Sequence, residues 1–211
     1  VNNTSTGSIS FRVVYGQPVA GTIVNVSNNL IGGTVANSIQ QLSNNIFTGI
    51  LMLNPSVGGI YNNNTVRNLT LNNVGVTGSV RGIDIQSSGG KHTITGNTIS
   101  NITTNATNVA INNAASIVGI TMTGSVVGGT NVSNNTIFNL TNTNATVAGW
   151  INGMYFSTGA APQPNTIISR NNVHSLNLAS ATAGMAGIFL PNAGLGLVYN
   201  NMVRLGIDAS G

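Results

Sequence analysis

Two short signatures return in phase about every 35 residues, and this repetition limits the fold more than any other feature of the chain. The first is Gly followed by Ile or Met: Gly49-Ile50, Gly82-Ile83, Gly119-Ile120, Gly153-Met154 and Gly187-Ile188, at intervals of 33, 37, 34 and 34 residues. The second is an Asn-x-aliphatic block followed three residues later by another aliphatic. It reads Asn64-Thr65-Val66 with Leu69, Asn97-Thr98-Ile99 with Ile102, and Asn135-Thr136-Ile137 with Leu140. Further along it reads Asn171-Asn172-Val173 with Leu176, then Asn200-Asn201-Met202 with Leu205. Signatures that hold phase while the loops between them change length describe a chain that winds, one unit per turn, as stacked repeats do.

Within one unit, Arg81-Gly82-Ile83-Asp84-Ile85-Gln86 alternates, with Ile83 and Ile85 on one face and Asp84 on the other, the period of a strand. Ser87 to Lys91 is turn-like in composition, His92 to Thr95 a second short strand, and Gly96-Asn97 a corner. Thr98 to Ile102 is a third strand, with Ile99 and Ile102 inward across an irregular step and Ser100 outward. Helix formers are scarce, while Asn, Gly and β-branched residues dominate. Asn suits corners because it tolerates the left-handed backbone region, and superimposed corners can stack their amides as an internal ladder. These features predict an all-β fold, a right-handed parallel β-helix of about six coils over a single domain, 1–211. At roughly 4.8 Å per coil the rod is on the order of 30 Å long. A β-propeller, whose blades repeat at about 40 residues, fits less well, since four antiparallel strands per blade need tight hairpins and this unit has three strands. Terminal repeats of solenoids carry polar caps. Neither end of the sequence shows one, so a segment of a longer protein is expected.

The Asn-Asn-x-Ile texture resembles the pectate-lyase-like parallel β-helix repeat regions of large secreted proteins of Bacteroidota-type bacteria. Ser27-Asn28-Asn29-Leu30-Ile31-Gly32, Ser133-Asn134-Asn135-Thr136-Ile137 and the Gly-Ile openings carry the likeness. The resemblance implies an extracellular or cell-surface location and export by the type IX secretion system. It implies as partners the secretion machinery and other domains of the same longer protein, and it brings no catalytic residue with it.

Composition narrows the function. Charged residues are 4% of the chain, six Lys/Arg and two Asp/Glu, while 35 residues are Asn. The net charge of +4 reflects missing carboxylates and no cationic face, because Arg12, Arg67, Arg81, Lys91, Arg170 and Arg204 are scattered singly. Nucleic-acid binding needs a clustered basic stripe and is not expected. No apolar run reaches the roughly 18 residues of a membrane helix, so no direct membrane insertion is expected. With no Cys, thiolate metal sites and disulfides are excluded. Polysaccharide-cleaving β-helices use grouped carboxylates, and glycoside hydrolysis needs two about 5–10 Å apart. Asp84 and Asp208 lie several coils apart, and Asp84 is expected to form an outward ion pair with Arg81 or Lys91. His92 and His174 read as surface or corner residues. No catalytic residue, cofactor or metal site is expected, and the chain is read as non-enzymatic.

A structural or adhesive role remains, with extracellular or cell-surface glycans as the partner of an adhesive one. Aromatic faces beside amides suit sugars, and Trp150, Asn152 and Tyr155, next to the row of loops preceding each Gly-Ile opening, are the candidate ligand-contacting residues. Two alternatives are a polysaccharide lyase- or hydrolase-like β-helix and an ice- or surface-binding protein. The latter needs a flat Thr column, which Thr65, Thr98 and Thr136 begin but Asn172 and Asn201 break.

Overall fold

The computed structural model describes residues 2–3, 10–124, 128–157, 165–191 and 196–205. Three parallel sheets wind together into a β-helix. The glycine sheet stacks Phe11–Gly16, Ile46–Leu53, Ser79–Ser87, Ile117–Gly124, Trp150–Ser157 and Gly184–Phe189 in chain order. A short sheet stacks Val24–Asn25, Gly58–Asn62, Lys91–Thr95, Thr130–Ser133, Ile167–Ser169 and Leu197–Tyr199. The corner sheet stacks Thr65–Leu71, Thr98–Thr104, Thr136–Asn142, Asn172–Leu178 and Met202–Arg204. Its first coil is split into Leu30–Ile31 and Ile39–Gln41, and Asn2–Asn3 pairs with the latter. Each strand pairs in parallel with its counterpart one coil on, so the sequence repeat is the coil. That pairing excludes the propeller, whose blades are antiparallel.

The interior is made of side-chain columns. Val66, Ile99, Ile137 and Val173 stack in the corner sheet, and Ile50, Ile83, Ile120 and Met154 in the glycine sheet; all are fully buried. Each such side chain contributes about 1.5–3 kcal/mol relative to exposure. In the sixth coil Val198 and Val203 extend the columns of Ile168 and Val173 but are 45% and 42% exposed, with a coil against one side only among the described residues.

The Asn pairs divide into two jobs. The first residue of each pair takes positive φ at the corner: Asn28 (61°), Asn63 (55°), Gly96 (66°), Asn134 (57°), Arg170 (55°) and Asn200 (53°). The second points inward and joins a ladder running Asn29, Asn64, Asn97, Asn135, Asn171, Asn201. Each Nδ2 donates to the Oδ1 of the next coil's Asn at 2.8–3.0 Å. From Asn64 onward Nδ2 also donates to a backbone carbonyl at the previous coil, as Asn135 does to Ile94 at 2.9 Å. Each Oδ1 additionally accepts the backbone N–H of the preceding ladder Asn, so the buried amides are paired on both sides. The last block is therefore one residue later than the sequence pattern placed it. Asn201-Met202-Val203 is in phase and Asn200 is the turn residue, because Met202 pairs with Asn172 and Val203 with Val173. The Thr column accordingly runs Leu30, Thr65, Thr98, Thr136, Asn172, Met202, with Met202 where Asn201 was expected.

The irregular step between Ile99 and Ile102 is Asn101 at φ 52°, repeated at Asn68, Asn139 and Ser175. Ser100 faces outward as expected but is only 3% exposed, flanked in register by Arg67 and Phe138. An added carboxylate there would be partly enclosed, so Ser100 is not the freely substitutable position its direction suggested.

The recurring Gly of the glycine sheet has a steric cause. A Cβ on Gly119 would lie 2.5 Å from the Gly153 carbonyl oxygen and 2.8 Å from Ile137 Cγ2, and Gly82 and Gly153 meet the same obstacles. The opposing atom is backbone and cannot move aside. Gly119→Ala is expected to destabilise the protein by about 3 kcal/mol, the upper range for overpacking, read as a lower denaturant midpoint. A change within a few tenths of a kcal/mol would contradict this packing.

Candidate functional site

These glycines also decide what the outer face of their sheet carries. Pairing register passes over each Gly, joining Val118 to Asn152 and Ile120 to Met154 on either side of Gly119 and Gly153. One Gly stands between the same paired positions on every coil, and this local break shifts the alternation. Arg81 and Asp84, which simple alternation would put on opposite faces, both point outward, as do Asn152 and Tyr155. Two outward columns result: Arg12, Thr48, Arg81, Val118, Asn152, Ala186, and Tyr15, Leu51, Asp84, Thr121, Tyr155, Phe189.

In the later coils this face is covered. The loop after Thr98–Thr104 folds over it, and Asn152 Nδ2 donates to the Ile111 and Asn112 carbonyls at 3.2 and 3.1 Å. Asn152 Oδ1 accepts from Trp150 Nε1 at 2.9 Å. Tyr155, 6% exposed, packs with Ala115, Val118, Trp150 and Phe189 in a small apolar cluster, its ring edge-on to Phe189 at 5.6 Å. The structure thus brings Trp150, Asn152 and Tyr155 together, with Asn152 fully buried and Trp150 half-buried. Their polar groups anchor the loop. The loops themselves stack coil on coil, as Asn105 Nδ2 to Asn72 Oδ1 (3.2 Å) and Asn144 Nδ2 to the Asn105 carbonyl (3.2 Å) show.

In the first three coils the same face opens into a cleft of about 140 Å³ whose polar lining is Ser10, Arg12, Thr48, Arg81, Asp84 and Gln86, with Ile46, Leu51 and Leu53 beside them. Arg81 Nη1 donates to Asp84 Oδ2 at 2.6 Å and Gln86 Nε2 to the same oxygen at 3.1 Å. The ion pair expected from sequence exists and faces outward, but it is buried: Arg81 is 4% and Asp84 1% exposed. Thr48 Oγ1, Arg81 Nε and Asp84 Oδ1 are buried without a hydrogen-bond partner among the described residues. At the rim, the Arg12 guanidinium lies 4.9 Å from the Tyr15 ring centroid, and Tyr15 is 47% exposed. Sequence reading did not single out Thr48, Arg12 or Tyr15. Their signal is register about Gly49: Thr48 precedes it, and Arg12 and Tyr15 pair with Thr48 and Leu51 on either side of it.

The histidines are structural. His92 is not on the surface; it is fully buried at the corner after Ser79–Ser87, its Nε2 2.8 Å from Ser87 Oγ and 3.2 Å from the Gly89 carbonyl oxygen. Its ring stacks on Tyr61 at 6.1 Å. His174 stacks on Phe138 at 5.2 Å in the outward column that Ser100 shares. Burial pushes the His92 pKa below its ordinary 6.5, against a smaller opposing effect of the Gly89 carbonyl. A depressed imidazole is neutral in the fold, while the unfolded chain takes up a proton near pH 6.5. Stability from this group is therefore full above about pH 6.5 and lost as pH falls below it toward the folded value. The melting temperature is expected to be flat from about pH 8 to 7 and to drop below about 6.5, with His92→Gln removing that drop. An unchanged drop in the variant would assign it elsewhere.

Among the described residues no group of three or more His, Cys, Asp or Glu could hold a metal ion. Asp208 lies outside the described residues. No helix among them is long and apolar enough to cross a membrane. Compared with family models, curated proteins and solved structures, the chain matches none.

Proposed function

We propose that this β-helix is a non-catalytic structural module, a stiff spacer of a secreted or cell-surface protein. The observation that carries this reading is the ladder from Asn29 to Asn201, which ties six coils together through one unbroken chain of amide hydrogen bonds. A solenoid whose every coil is bonded to its neighbours bends little, which suits a segment that holds other domains or a surface apart. The extracellular setting and type IX export rest on the resemblance of the Asn-Asn-x-Ile repeats to exported bacterial β-helices. Absence of catalysis is part of the proposal: Asp84, the one carboxylate of the glycine sheet's outer face among the described residues, is held by Arg81 and Gln86.

Deleting two whole coils is expected to shorten the rod by about 10 Å in small-angle X-ray scattering while the protein stays folded. Incubation with a panel of plant, algal and bacterial polysaccharides is expected to release no new reducing ends or unsaturated products. Turnover that disappears in Asp84→Asn would overturn the spacer reading in favour of a polysaccharide-cleaving enzyme.

A further inference from the structure

The two ends of the coil stack are unlike and complementary. We propose that the sixth coil of one copy of this chain docks on the first coil of a second copy. This head-to-tail contact continues the sheets and the asparagine ladder from one molecule into the next. It goes beyond the spacer reading and does not depend on it.

The ladder has a direction. At each junction a ladder Asn donates its backbone N–H and one Nδ2 hydrogen to the Oδ1 of the Asn one coil on, as Asn171 does to Asn201 at 3.0 and 2.9 Å. The residue after the later Asn returns a bond: Thr65 N–H donates to the Asn29 carbonyl and Met202 N–H to that of Asn171, both at 2.8 Å. The sixth coil presents the first half of such a junction. One Nδ2 hydrogen of Asn201 goes to the Ile168 carbonyl at 2.8 Å. The other, with the Asn201 backbone N–H and carbonyl, has no partner among the described residues. The first coil presents the second half. Asn29 donates to Asn64, and its own Oδ1 accepts nothing among the described residues. Leu30 stands at the position of Thr65, so its N–H points away from the second coil, where no described strand pairs with it. Asn29 and Asn201 are half-buried and Leu30 is 65% exposed, so these groups can be reached. Docking gives Asn201 the Oδ1 of Asn29 and gives Leu30 the carbonyl of Asn201, the same three bonds that join coils within one molecule.

The apolar columns match as well. Val14 and Ile188 are the half-buried ends of the column that runs through Ile50, Ile83, Ile120 and Met154. Val26, whose N–H bonds the Ile60 carbonyl, heads the column of Tyr61, Ile94, Val132, Ile168 and the exposed Val198. Docking sets Ile188 on Val14 and Val198 on Val26 and takes all four out of water. The corner of the first coil is the better covered part, with Ile31 and Ile39 buried and Asn2–Asn3 paired to Gln40–Gln41. Asn2–Asn3 stand at the positions of Thr70–Leu71. They leave open the place beside Leu30–Ile31, which is the register position of Met202–Val203. Edge strands left unpaired are ready templates for another chain, and a contact between unlike ends does not close on itself.

Sedimentation velocity of the 211-residue chain from about 1 to about 300 μM tests the docking. The weight-average mass is expected to climb from 21.5 kDa without levelling at a dimer, since every head-to-tail contact leaves one free end of each kind. Leu30→Pro removes an N–H that bonds nothing in the single molecule, a change that edge strands tolerate, and puts a ring against the incoming Asn201 carbonyl. Val203→Lys places a charge on the opposite end. Each variant alone is expected to stay monomeric with the circular dichroism of the wild type. An equal mixture is expected to form dimers and nothing larger, because each variant brings one intact end. If Val203→Lys unfolds the last coil, Leu30→Pro added to the wild type decides, and is expected to terminate growth. The proposal is overturned if the wild type stays monomeric throughout, or if Leu30→Pro leaves its growth unchanged. Dimerisation of either variant alone would join like ends and would equally overturn it.

Discussion

Ile137→Asp is expected to abolish folding. Ile137 is fully buried, stacked between Ile99 and Val173, with Gly119 of the facing sheet against its side chain. The substitution removes a buried aliphatic chain, a loss of several kcal/mol, and places an unpaired carboxylate between coils. Burying that charge adds further kcal/mol or forces local opening. Against a total stability of about 5–15 kcal/mol the sum is not survivable. Ile99→Asp is expected to behave the same way. Thr103→Asp, outward and half-buried in the same sheet, is expected to cost no more than about 1 kcal/mol, since surface substitutions stay small. Circular dichroism and a denaturant titration of the three variants check the phase. Equal effects at Ile99 and Thr103 would show that the inward and outward faces are assigned wrongly.

Asn135→Ala is expected to be strongly destabilising for the truncation of an uncharged polar side chain. It strands the Asn97 backbone N–H, one Asn97 Nδ2 hydrogen and the Ile94 carbonyl, all of which bond the Asn135 side chain. At about 1–3 kcal/mol per stranded buried group the loss is on the order of 3–9 kcal/mol. Asn29→Ala, in the first coil, strands less: Asn64 Oδ1 still accepts the backbone N–H of residue 29. Its cost is expected near 1 kcal/mol. Urea midpoints should therefore fall in the order wild type, Asn29→Ala, Asn135→Ala. Similar midpoints for the two variants would mean that the ladder carries no special weight.

The fold was legible because it depends on repetition. Gly-Ile and Asn-x-aliphatic signatures mark two positions in each coil where the neighbouring coil constrains the residue, one steric at Gly119, one hydrogen-bonded at Asn97. The final block slipped by one because Asn200 and Asn201 are chemically identical. Only pairing of Met202 with Asn172 separates the turn residue from the ladder residue. Burial on the outer face was not legible at all. Asp84 and Ser100 point outward along their strands, yet neighbouring coils and side chains enclose them, which period-two alternation does not encode. The cleft was hidden from the sequence for the same reason. Trp150 marks its position by composition, whereas the cleft at Arg81 and Asp84 needs the break in alternation at Gly82, which puts residues three apart on one face. Loop 105–115 covers Asn152 and leaves Thr48 to the cleft, a difference set by loop path and not by strand pattern.

Hydrogen exchange of the asparagine side-chain amides, followed by NMR, tests the stacked-coil account most directly. Asn64, Asn97 and Asn135 are fully buried and hydrogen-bonded on both sides. Their Nδ2 protons are expected to exchange only through global unfolding, as slowly as the most protected backbone amides. Nuclear Overhauser contacts are expected between the amides of Asn97 and Asn135, 38 residues apart in sequence. Exchange of these amides as fast as those of exposed asparagines, or contacts that join strands within one repeat and not across successive repeats, would contradict the ladder and the β-helix built on it.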